Sequence, residues 1–113
     1  MNDRREKNIL NGKFKLITEG TEFRMALWIN GFGIQDAATN EFVIPLLHSF
    51  NLDRFEEEGD TVKIEFRIYP NGSKSYQVVI NPFQKTFWYQ KQLYATKNFE
   101  EFFRNQYAKD NPK

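Results

Sequence analysis

Cysteine is absent from the 113-residue chain, histidine occurs once, and there are six glycines and four prolines. Without cysteine there is no disulfide, no thiolate nucleophile and no cysteine-ligated zinc. No apolar run approaches the roughly 18 residues of a membrane-spanning helix. The opening MNDRREKNIL is charged, unlike the apolar stretch of a secretory signal. The expected setting is cytoplasmic, with no membrane partner. Phosphate-cradling glycine motifs of the GxxxxGK[ST] and GxGxxG types are missing, and Gly31-Phe32-Gly33 is too short to replace them. His48 and Ser49 are adjacent but would point apart on a strand end, with no nucleophile elbow around them. The carboxylates Glu56, Glu57, Glu58 and Asp60 lack the ligand spacing of a calcium loop and read as a solvated element end. These absences point away from an enzyme, a metal site or a cofactor.

What the chain has in excess is aromatic side chains. Twelve Phe, five Tyr and two Trp make up 17% of the residues, and each ring can bury about 150–250 Å². So many rings argue for a packed core in spite of a mean hydropathy of -0.70. They also raise the question of whether one small domain can bury them all.

Residues 1–11 read as a polar tail or helical turn, 12–107 as a single β-rich domain and 108–113 as a frayed end. Period-2 alternation marks strands over 13–18 and 22–30, joined by a turn at Glu19-Gly20. A glycine- and asparagine-rich loop with a short extended piece around Phe32 and Ile34 follows at 30–40, then an apolar strand from Phe42 to Leu47 with Pro45 at an edge or bulge. Leu52 and Phe55 at i, i+3, behind Asn51 and ahead of Gly59, predict a short helix over 50–58. The clearest pattern is a hairpin: Val62, Ile64, Phe66 and Ile68 alternate with polar residues, and a turn at 70–73 leads into Tyr76, Val78 and Ile80. Residues 86–94 predict a further strand. Phe99, Phe102, Phe103 and Tyr107 predict an amphipathic C-terminal helix behind Asn98.

Three strands, a short helix and two more strands within residues 12–81, with Gly59-Asp60 preceding the alternating Val62, Ile64 and Phe66, resemble the small OB-fold domains. Those are five-stranded Greek-key barrels that bind oligonucleotides and oligosaccharides. The resemblance implies an antiparallel OB-like β-barrel with a helix between strands 3 and 4, to which this chain adds a strand and the C-terminal helix.

The net charge of +1 conceals segregation. Residues 36–60 hold seven acidic groups against one basic, and residues 61–97 hold six basic against one acidic. In residues 83–97 no acid interrupts Phe83, Lys85, Phe87, Trp88, Tyr89, Lys91, Tyr94 and Lys97. If Phe87, Tyr89 and Leu93 face inward, Trp88 and Tyr94 face outward. Arg24 and Trp28 fall on the polar side of the second strand, with Lys63, Arg67 and Tyr69 on that of the fourth. The set Arg24, Trp28, Lys63, Arg67, Tyr69, Lys85, Trp88, Lys91 and Tyr94 is thus the candidate binding surface. Rings interleaved with cations suit single-stranded nucleic acid, on which bases stack and phosphates pair. Surplus Trp, Tyr and Arg equally suit a protein-binding adaptor, inhibitor or immunity-like domain. The sequence leaves both open, along with the oligomeric state.

Overall fold

The computed structural model describes residues 2–23, 27–69 and 74–110, apart from the side chains of 2, 3, 22, 23, 27 and 28. Within them the chain is mainly β, with two antiparallel sheets and one C-terminal helix. The first sheet is a meander of β1 (Asn2–Ile9), β2 (Phe14–Phe23), β3 (Leu27–Asp36) and β4 (Phe42–Leu47). The second is a meander of β5 (Phe50–Glu58), β6 (Thr61–Ile68), β7 (Ser75–Asn81), β8 (Thr86–Tyr89) and β9 (Gln92–Ala95). A single 3-10 turn, Thr96–Asn98, leads into helix α1 (Phe99–Asp110).

Phenylalanine holds these layers together. The Phe66 ring on β6 lies 5.5 Å from Phe32 of β3, 5.4 Å from Phe50 of β5, and 5.8 and 5.0 Å from Phe99 and Phe103 of α1. The four-stranded sheet and the helix therefore share one side of the five-stranded sheet. Helix α1 also reaches β8 and β9, where Phe102 sits 5.6 Å from Phe87 and 4.4 Å from Tyr94. Full burial of such rings contributes about 1.5–3 kcal/mol each.

Several expectations are corrected. No closed barrel is found among the described residues: β4 and β5 do not pair, and the sheets split at His48–Ser49. The helix expected over 50–58 is strand β5. A register shift between Leu52 and Arg54 inserts Asp53 as a bulge, so the inward residues Leu52 and Phe55 fall three apart instead of two. A bulged strand thereby mimics helical spacing. Residues 2–9, expected as a tail or helical turn, pair with β2 as an edge strand. Edges tolerate charge, and Lys7 lies over the Phe55 ring at 5.0 Å. Glu19-Gly20 is mid-strand in β2, and the expected loop at 30–40 is largely the end of β3. The expected turn at 70–73 lies outside the described residues.

The two glycines of Gly31-Phe32-Gly33 have a packing role. A Cβ on Gly33 would stand 2.8 Å from the Ile44 carbonyl oxygen, and one on Gly31 would stand 2.8 Å from that of Leu47. The backbone of β4 presses onto β3 here, with register shifts on either side of Ile34. Gly33→Ala is expected to cost about 1–3 kcal/mol in urea unfolding, because a backbone contact cannot yield as a side chain would.

The far end of α1 is fastened by polar contacts. The Tyr76 hydroxyl donates to Asp110 Oδ2 at 2.8 Å, and Lys74 Nζ lies 3.6 Å from the same oxygen. Burial first, and then this hydrogen bond, push the Tyr76 hydroxyl above the ordinary tyrosine range. The unfolded chain releases that proton near pH ~10 while the folded chain keeps it, so stability falls as pH rises past that value. Tyr76→Phe should cost about 0.5–1.5 kcal/mol near neutral pH. That deficit should narrow above pH ~10, as followed by denaturant unfolding across pH.

Candidate functional site

The register of the second sheet decides which candidate residues meet. Inward positions Val62, Ile64, Phe66, Tyr76, Val78, Ile80, Phe87 and Tyr89 are buried. On the opposite face the pairs Glu56↔Lys63, Lys63↔Val79, Val79↔Trp88 and Trp88↔Leu93 form one row across five strands. Trp88 is 47% exposed and Leu93 60% exposed. At one end of this row lie an acid and a lysine; at the other lie three apolar side chains.

The expected single strand over 86–94 is two strands, and this changes the outward set. Gln90 and Lys91 form a two-residue turn between Tyr89 and Gln92, with φ of 48° and 67°. Positive φ at both central positions is the signature of a type I′ hairpin turn, which ordinarily uses Asn-Gly. The turn restarts the alternation, so Tyr94 pairs with Phe87 on the inner face and Leu93 faces outward with Trp88. Tyr94 stacks 5.3 Å from Phe87 and lies against Phe102 of α1. The outward position expected for Tyr94 and the inward one expected for Leu93 are therefore exchanged. Gln-Lys lacks the Asn or Gly that would reveal such a turn in the sequence.

The other candidates divide. Lys63, Lys85 and Lys91 are exposed, and none makes an ion pair among the described residues. Arg67 is committed: its Nε and Nη2 donate to Asp53 Oδ2 and Oδ1, both at 2.8 Å. This hydrogen-bonded pairing raises the Arg67 pKa further. Asp53 Oδ1 also accepts from Asn51 Nδ2, and Asn51 Oδ1 accepts from the Asn30 backbone N–H at 2.8 Å. The bulge thus aims Asp53 at a network joining β6, β5 and β3. Tyr69 is half-buried beside Arg67. Arg24 and the Trp28 side chain lie outside the described residues.

Little else offers chemistry. His48 Nδ1 lies 3.7 Å from Glu19 Oε2, while Ser49 Oγ accepts from Arg104 Nη2 at 3.3 Å. No group of three or more His, Asp or Glu is placed to hold a metal among the described residues. A depression of about 340 Å³ opens between the sheets beside Arg5, Thr18, Asn30 and Leu52. The one beside Lys63 on the outer face holds about 80 Å³, well under a metabolite pocket. No helix among the described residues is long and apolar enough to cross a membrane. No protein-family model, curated protein or solved structure matches the chain.

Two substitutions test the face assignment. Trp88→Ala should cost no more than about 1 kcal/mol, the loss of its cross-strand contacts on an outer face. Phe87→Ala, one residue away, should cost about 3–5 kcal/mol. Urea unfolding of both measures the contrast.

Proposed function

We propose that the protein is a non-enzymatic binding module that engages another protein through the outer face of β7, β8 and β9. The observation carrying this reading is the cross-strand row of half-buried Val79 with exposed Trp88 and Leu93. A large ring flanked by aliphatic side chains on paired strands provides apolar contact area at low entropic cost. A single-strand binding platform needs several open rings for successive bases. Of the described candidates, Trp88 is open, Tyr94 lies beneath Phe102, and Tyr69 is half-buried beside an arginine already held by Asp53. Leu93, the cross-strand neighbour of Trp88, has no π-face to offer a base.

A photo-crosslinking residue at position 93 should yield a discrete protein adduct that is lost on Trp88→Ser. The same residue at position 109, on the exposed end of α1, should yield none. Salt-sensitive binding of a labelled single-stranded oligonucleotide that is abolished by Trp88→Ser would contradict the protein reading and favour nucleic acid.

A further inference from the structure

The edge of the second sheet beside Trp88 has features that specify an occupant. Strand β9 is the terminal strand. Across a two-residue hairpin turn the closing pair, here Tyr89↔Gln92, exchanges both backbone hydrogen bonds, and bonded pairs then alternate along the ladder. The Thr96 N–H bond to the Lys85 carbonyl at 3.0 Å fits that alternation. Leu93 and Ala95 therefore occupy the non-bonded positions; both N–H groups and the Leu93 C=O point away from β8 toward the open edge, while the Ala95 C=O begins the 3-10 turn that follows. Their side chains lie on the outer face, level with Trp88 and Thr86.

Both edges of the four-stranded sheet are blunted. The edge strand β1 carries Arg4, Arg5, Glu6 and Lys7, and β4 contains Pro45 and register shifts. Strand β9 instead has Leu93 and Ala95 at its outward positions, with Lys91 immediately before it and Lys97 two residues after. Both lysines are exposed and without an ion pair among the described residues, whereas Lys15, Arg67, Lys74 and Arg104 each have an acidic partner. Residues 83–97 contain no acid. Lys91 also occupies a left-handed position that glycine would take without strain.

These observations exclude some occupants of the edge. A second copy pairing antiparallel through β9 would bring Lys91 of one chain close to Lys97 of the other, a like-charge contact at both ends. An extended segment with an apolar centre and acidic ends meets no such penalty. We propose that β9 accepts a short acidic strand from a partner protein. Its backbone would bond the Leu93 N–H and C=O and the Ala95 N–H, its central apolar side chains would extend the Trp88–Leu93 row, and its terminal carboxylates would meet Lys91 and Lys97. This is strand addition. It deepens the reading of the outer face as a protein contact and rests on it.

The test uses a capped, fluorescent heptapeptide, Glu-Glu-Val-Thr-Val-Glu-Glu, with the full chain and anisotropy as readout. Binding is expected to fall about tenfold or more for the lysine-for-glutamate peptide and for Lys91→Glu/Lys97→Glu. A peptide N-methylated at its central residues should not bind, and hydrogen exchange should slow at the Leu93 and Ala95 amides on binding. Lys91→Gly is the most telling variant: it should melt at a higher temperature while binding about threefold more weakly. Binding that needs Trp88 but tolerates N-methylation would overturn strand addition and leave the outer-face reading intact. Failure of the heptapeptide to bind at low salt, alongside a discrete crosslink at position 93, would overturn the acidic occupant alone. Binding of oligothymidylate in place of the heptapeptide would overturn both.

Discussion

Everything in this molecule is arranged around the Phe66 side chain. It stands in the middle strand of the inward face of β5 to β7, and rings from four other elements converge on it: Phe32 from the four-stranded sheet, Phe50 from β5, Tyr76 from β7, and Phe99 and Phe103 from α1. A core built from such rings packs at fixed edge-to-face and stacked geometries, so each layer's position is set by the others. The constraint explains why the short helix α1 is held along its length. Phe99 and Phe103 are fully buried, Phe102 closes over Phe87, Tyr89 and Tyr94, and Asp110 is tied to Tyr76.

Because the sheet gives its entire inward face to this cluster, its other face has no covering layer among the described residues. Polar residues such as Lys63, Glu65 and Gln77 occupy most of it, and Gln77 Nε2 donates to Glu65 Oε2 across β6 and β7. Toward β9 the polarity ends. Val79, Trp88 and Leu93 stand in line, and the hairpin around them carries lysine with no acid. The charge segregation in the sequence has the same geography. The acids of residues 53–60 lie on β5 and its turn, at one edge of the sheet, and the lysines of residues 85–97 lie at the other. Asp53 and Glu57 are used internally, one on Arg67 and one accepting the Leu10 N–H at 2.7 Å. The lysines of the β8–β9 hairpin are not.

The sequence was most legible where period and burial agree. The β6–β7 hairpin follows directly from alternation, the strand Phe42–Leu47 from its apolar run and helix α1 from i, i+3, i+4 spacing. It misled where one residue altered the phase. Asp53 turns the spacing of two in β5 into a spacing of three, which reads as helix, and the Gly59-Asp60 pair that resembled the approach to an OB-fold strand is a hairpin turn with Gly59 at φ 59°. Gln90 and Lys91 hide a turn inside what reads as continuous strand, which put Tyr94 outside and Leu93 inside. Strand β1 was illegible because a charged edge strand has no apolar alternation to detect. Of the proposed site, Trp88 and Lys91 could be read in advance. Leu93 and Val79 could not, since their membership depends on the register.

The proposed contact requires Trp88 to stand on the outer face of the second sheet, away from the packed rings, and fluorescence tests this directly. In a Trp28→Phe variant, Trp88 is the sole tryptophan. Its emission maximum in the folded protein should lie close to that of the urea-unfolded chain, and acrylamide should quench it readily, while the near-ultraviolet circular dichroism shows a packed aromatic core. A blue-shifted emission protected from acrylamide in that folded variant would place Trp88 inside and contradict the account.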